Sequence, residues 1–221
     1  MKFSQICLAL WISCAFAAMT SCSSVETNKD DPASLSKEVD DLIESDRYIL
    51  ALERLHELKN RHPYSPQAKD AQLRMADVYF LQENFSEAAA TYEAFRDLHP
   101  KHPKVRYAMH RAAMSYYSDI PDLRARDLTP AFKAQESFKE LIAQFPEGEY
   151  IAESKLKLAE VRDAIAEKEL YVANFYLRWD NYEAAKGRYS KIISFYSDTK
   201  SFEEAEKKLK EVEGKVTNVR Q

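Results

Sequence analysis

Residues 66–100 read PQAKDAQLRMADVYFLQENFSEAAATYEAFRDLHP, and this stretch decides the fold. Two helical patterns meet in it at Glu83 to Phe85. The first carries Gln72, Met75, Ala76 and Tyr79; the second carries Phe85, Ala88, Tyr92 and Phe95 and closes at Pro100. Residues three and four apart share a helix face. Two antiparallel helices packed at roughly 8–10 Å need small side chains where they cross. Ala76 and Ala88 supply them, and the aromatic residues fill the space on either side.

Working outward, the same hairpin recurs. Ala51 precedes Ala88, and Pro63 precedes Pro100, by the same 37 residues. Two unrelated markers at one offset signal a repeat. In the upstream copy, Ser34 or Ser36 is expected to cap a helix carrying Leu35, Val39, Leu42 and Ile43. Asp46 is expected to cap a second, carrying Tyr48, Ala51, Leu55 and Leu58. Pro disfavours helix in the residue before it, so His62-Pro63 is a stop, and Ser65-Pro66 opens the next helix. A third unit begins at Pro103 with Met109, Ala112, Ala113 and Tyr116. Its second helix opens at Thr129-Pro130 and carries Ala134, Phe138 and Leu141 up to Pro146, after an insertion at Ser118 to Leu128. From Glu149 to Arg178 there is no breaker. That predicts one helix of roughly 45 Å, spanning the junction between the third and fourth units. Trp179-Asp180-Asn181 makes a turn; Tyr182, Ala185, Tyr189 and Ile192 follow, and Ser197 takes the place of Pro. A last helix from Ser201 to Val216 has one apolar side and charge elsewhere, as a terminal repeat helix needs. The pattern resembles the tetratricopeptide (TPR) repeat, a stacked helix pair of about 34 residues. The expected fold is all-α: a TPR-like α-α superhelix of about four repeats plus a C-terminal half-repeat helix, over residues 35–217.

Composition agrees. Of 221 residues, 45% are hydrophobic and 31% charged, enough for a core and a solvated surface, while three Gly favour helices over loops. A net charge of −4 argues against nucleic acid as a partner. With Gly only at 148, 187 and 214, no phosphate-cradling loop can form. Glu53 and His56 make one Glu-x-x-His step with no second, so no di-iron set and no metal site is expected. No nucleophile elbow or His-Glu-x-x-His motif occurs. The chain is expected to be a non-enzyme without cofactors. Tyr and Phe recur at repeat spacing, which assigns nearly all of them to the core.

Lys2 and the apolar stretch Ile6 to Ala18 read as a leader, too short in its apolar part to span a bilayer. Met19-Thr20-Ser21-Cys22 resembles a bacterial lipobox, with Met19 where Leu is usual. Residues 1–21 are thus expected to be a lipoprotein signal peptide, with Cys22 lipidated and residues 22–34 a flexible tether. Cleavage leaves Cys22 as the one cysteine, with no disulfide partner. Three acyl chains would anchor it permanently. By analogy with other bacterial lipoproteins, Ser23 after the Cys points to the outer membrane, periplasmic face.

Cations cluster twice. Arg106, His110 and Arg111 share a helix, with Arg124 and Arg126 in the insertion; Arg178, Lys186, Arg188 and Lys191 surround the fourth unit's turn. A solvated face and a docking surface for an acidic partner both explain them.

Arg61-His62-Pro63-Tyr64-Ser65-Pro66, His102-Pro103 with Tyr107-Ala108-Met109, Arg126-Asp127, and Glu169-Leu170-Tyr171-Val172-Ala173 through Arg188 to Tyr196 resemble the BamD family, TPR lipoproteins of the outer-membrane β-barrel assembly machinery. The resemblance implies an adaptor with no catalysis. Its C-terminal repeats would dock on periplasmic domains of the β-barrel assembly protein, beside companion lipoproteins, with Arg188 at the position that matters in the family and Lys186 and Arg178 nearby. Its N-terminal repeats would receive unfolded outer-membrane proteins at Arg61, His62 and Tyr64, where His62 replaces the more usual Tyr. Another periplasmic TPR lipoprotein, such as a pilus or secretin assembly factor, is the alternative reading.

Overall fold

The computed structural model describes residues 31–122 and 127–219, with side chains up to residue 215. Among the described residues there are nine α-helices and no strand: α1 Pro32–Glu44, α2 Tyr48–Arg61, α3 Pro66–Leu81, α4 Phe85–Leu98, α5 Val105–Ser118, α6 Thr129–Gln144, α7 Ile151–Arg178, α8 Tyr182–Phe195 and α9 Phe202–Val219. Each packs mainly on the helix before it and the helix after it. That is the one-dimensional stack of a TPR-like superhelix.

Local chemistry sets the ends. α1 is capped by neither Ser34 nor Ser36: Asp31 accepts the N–H groups of Ala33 and Ser34 at 3.1 and 3.2 Å, and Pro32 follows at the first helical position. An ionised carboxylate suits the positive helix end, and proline has no N–H to leave unbonded. Nor does Asp46 cap α2; it lies in the left-handed region at φ 56° and closes the turn after α1. Glu83 and Asp180 do the same at φ 60° and 54°. In each case the next residue's N–H (Arg47, Asn84, Asn181) reaches back five residues to Leu42, Tyr79 or Tyr176 at 2.8, 2.9 and 3.0 Å. This closure usually takes Gly. Ser65 caps α3 as expected, accepting from Ala68 N–H at 3.0 Å. Thr129 is already helical rather than a cap, its N–H given to Asp127 at 3.1 Å.

The second helices end alike. His62, His99, Phe145 and Tyr196 hold φ between −126° and −134°, and each N–H returns four residues. Tyr196 adopts this geometry without a following Pro. α7 starts at Ile151, two residues later than expected, because Gly148 (φ 111°) and Tyr150 (φ 69°) make the turn.

Ala76 and Ala88 are fully buried in one cluster with Leu73, Tyr92, Phe95, Ala108 and Ala112. The N-terminal cluster joins Val39, Leu55 and Leu58 to Met75 and Val78. A third runs from Ala113 through Phe138, Ile165 and Tyr189 to Val212, so α5 to α9 share one continuous core. Two hairpins carry the same brace: Tyr92 and Tyr189 donate their hydroxyls to Asp77 and Asn174, each 15 residues upstream, at 2.5 and 2.6 Å.

Candidate partner-docking surfaces

Glu169 faces inward from the middle of α7, between the fully buried Ile165 and Ala173, and is 4% exposed. α8 answers with two cations three residues apart, which places them on one face. Arg188 Nη1 donates to Glu169 Oε2 at 2.8 Å, and Lys191 Nζ donates to Oε1 at 2.6 Å. Burial pushes the Glu169 carboxyl up, but hydrogen bonds and charge from Lys191 and Arg188 outweigh it and hold the group below the usual carboxylate range. The same contact raises Arg188. Side-chain exposures of 42% for Arg188 and 39% for Lys191 leave their outer faces to solvent. Lys191 also stands 5.9 Å from the half-exposed Phe132 ring of α6. The junction of α6, α7 and α8 thus offers two oriented cations beside an aromatic edge.

The other residues expected there have different neighbours. Lys186 Nζ lies 3.6 Å from Glu213 of α9. Arg178 is exposed at the end of α7, next to Trp179, itself 73% exposed. Trp179 continues a line with Phe175 and Tyr171, and the Phe175 and Trp179 rings are 6.1 Å apart. These rings, with Tyr64, Phe132 and Phe195, correct the expectation that nearly all aromatic residues are core. Glu169 was the anchor not foreseen; the available signal was an acid on the apolar face, four residues from Ile165 and four from Ala173.

At the first inter-repeat turn, Arg61 ends α2 with its guanidinium on Glu57. His62 ends the helix: its N–H bonds Leu58 and its carbonyl accepts from Ser65 N–H at 2.9 Å. Tyr64, 94% exposed, projects from the same turn.

The third unit's cations are dispersed rather than gathered. Arg111 lies 3.8 Å over the Phe80 ring and donates to the Tyr92 hydroxyl at 3.3 Å. His110 is buried, stacked 4.8 Å from Tyr150, with Nδ1 3.1 Å from Ser154 Oγ. Burial pulls its pKa down, and the Glu153 carboxylate opposes that in part. Arg106 faces a groove of about 620 Å³, lined also by Arg74, Asp77, Lys104, Phe145 and Tyr150. Arg124, Arg126, Cys22 and the expected leader lie outside the described residues. Among the described residues, no group of three or more His, Cys, Asp or Glu could hold a metal, and no helix is long and apolar enough to cross a membrane.

Residues 28–217 match the family model described as YfiO, outer membrane lipoprotein. The chain is 32% identical over 158 residues to the outer membrane protein assembly factor BamD of Rickettsia prowazekii, covering 72% of this chain and 62% of that protein. It is 30% identical over 174 residues to the BamD of Neisseria gonorrhoeae, covering 75% and 65%. With the BamD of Vibrio cholerae, identity is 26% over 210 residues, covering 90% and 86%. The match to the first two thus spans less than two thirds of their length.

Proposed function

Since this chain belongs to the YfiO family of outer-membrane lipoproteins, we propose that it is an adaptor in the assembly and insertion of β-barrel proteins into the outer membrane. The observation that carries this reading is the family match over the entire helical stack, from before α1 to within α9. Relatives named outer membrane protein assembly factor support it.

In this reading residues 1–21 are a signal peptide, Cys22 carries the lipid, and residues up to the first helix tether the stack to the periplasmic face of the outer membrane. The chain works by holding surfaces, not by catalysis. Its Arg188 and Lys191 face receives acidic groups of the β-barrel assembly protein's periplasmic domains, with Lys186 and Arg178 at its margins. The half-exposed cations held on Glu169 support that role. Companion lipoproteins join the complex. The turn at Arg61, His62 and Tyr64 receives unfolded outer-membrane proteins, for which the exposed Tyr64 ring is the best-suited contact.

The test is co-purification of the native protein from detergent-solubilised membranes. Recovery of a β-barrel assembly protein is expected; recovery of a secretin without one would overturn the reading.

A further inference from the structure

We propose that His110, stacked on Tyr150 and held between Glu153 and Ser154, is an acid-sensitive latch: a proton added to its ring releases the α6–α7 turn together with the first turn of α7. The inference concerns how the stack responds to pH and stands apart from the adaptor reading.

His110 is 5% exposed, and α7 meets it at both ring nitrogens. Nε2 lies 3.4 Å from Glu153 Oε2, and Nδ1 lies 3.1 Å from Ser154 Oγ. An ionised carboxylate only accepts, so Nε2 carries the proton and Nδ1 is left to accept the Ser154 hydroxyl. Both nitrogens are answered in the neutral ring. A second proton, on Nδ1, turns that acceptor into a donor. The fully buried Ser154 hydroxyl must then turn its hydrogen away, and a cation is left in the interior.

The turn depends on this ring. Tyr150 holds φ 69°, which is costly for a residue with a side chain, so its neighbours must keep it there. Those neighbours are His110, with rings 4.8 Å apart and 16° from parallel, and Tyr107 at 6.0 Å. The Tyr150 carbonyl in turn accepts the Ser154 N–H at 2.9 Å, which starts the hydrogen-bond ladder of α7.

The charges around the ring divide. Glu153 favours the protonated form, but its side chain is 52% exposed and water screens it. The Tyr150 face also attracts a cation. Burial opposes both, as does Arg111, the next residue. Arg106, one turn earlier and 4.7 Å over the Phe145 ring, adds like charge. α4 and α6 bring Glu93, Arg96 and Glu140 to the Met109 and Ala112 side of α5, where Arg96 and Glu140 pair at 3.1 Å. Asp77 of α3 is taken by Tyr92 and Tyr107, and Glu160 and Lys157 of α7 pair with each other at 3.0 Å beside Tyr117. Glu149 of the turn lines the groove with Tyr150. The balance holds the imidazole below its ordinary value of 6.5. A neutral ring therefore stabilises the fold above that value, and the contribution is lost as pH falls through the folded one.

The test uses the full chain in detergent. An NMR titration of the His110 imidazole should give a midpoint below the ordinary 6.5. Hydrogen exchange is then followed by mass spectrometry between about pH 7 and about pH 5, each rate divided by the amide's intrinsic rate. Residues 149–156 should lose protection by up to about ten-fold per pH unit below the midpoint, the limit set by one proton. α1 and α2, which have their own core, should keep theirs. The window lies above the acid range in which Glu169 titrates. His110→Gln should remove the pH step at the turn with helicity retained. Glu153→Gln should move the His110 midpoint further down, and it decides the matter if the His110 variant does not fold. A midpoint at or above 6.5, protection at the turn that ignores pH, or an equal loss in α1 would overturn the latch. So would a pH step that survives in His110→Gln, or a midpoint unmoved in Glu153→Gln.

Discussion

Arg188 reaches back 19 residues, from α8 to α7, and commits one arm of its guanidinium to Glu169 at 2.8 Å. The remaining arm is therefore aimed by the fold. We expect Arg188→Leu to weaken co-purification of the β-barrel assembly protein while circular dichroism stays unchanged. The loss in stability should be no more than about 1 kcal/mol, since the arginine is half exposed and Lys191 still answers the acid. Undiminished co-purification would remove Arg188 from the docking surface.

The same carboxylate sets a pH dependence. Glu169 titrates below its ordinary value of 4.5 in the folded protein. A depressed carboxyl stabilises the fold above the unfolded-state value, and that contribution is lost as pH falls through the folded one. Melting temperature should thus drop on acidification below about pH 4.5, and less steeply in Glu169→Gln. Parallel acid limbs for the two proteins would contradict this.

Ala88 is fully buried where α3 and α4 cross. Ala88→Leu should destabilise by about 1–3 kcal/mol through overpacking, read as a lowered melting temperature. An unchanged value would place the crossing elsewhere.

Tyr92 and Tyr189 make equivalent braces with unequal partners. Asp77 keeps the Tyr107 hydroxyl when Tyr92 becomes Phe. The loss in Tyr92→Phe should be about 0.5–1.5 kcal/mol by urea titration, the value of a single net hydrogen bond. Burial and nearby acids push the Tyr189 hydroxyl up to about 12. It should therefore stay protonated, and its bond to Asn174 intact, through pH 10; a spectroscopic titration of that tyrosine near 10 would refute this.

Cys22→Ser should release the protein from membranes into the soluble periplasmic fraction. Fractionation with membranes as before would exclude the proposed anchor.

The hairpins and the long helix were legible because helical periodicity repeats over many residues and small residues mark each crossing. Ala76, Ala88 and the 28-residue α7 all follow from that pattern. The caps were less legible. Whether Asp46 caps α2 or turns left-handed depends on one dihedral angle, which spacing does not encode. Side-chain partners were the least legible. Arg106, His110 and Arg111 sit within six residues, yet one faces a groove, one is buried beside Tyr150 and one lies over Phe80. Only the neighbouring helices decide which. Glu169 is the middle case: its place on an apolar face announced a buried acid, but not the two cations that neutralise it.

The cluster that joins Ala113 to Val212 makes α5 through α9 cooperative, although the molecule is assembled from units. A chain cut short before Phe202 would bare Tyr189 and Ile192 along α8. The damage would not stop there, because α7 is a single beam of roughly 42 Å whose far end supports α6. Fraying would pass inward as far as Phe138, while the first hairpin kept its own interior against α3.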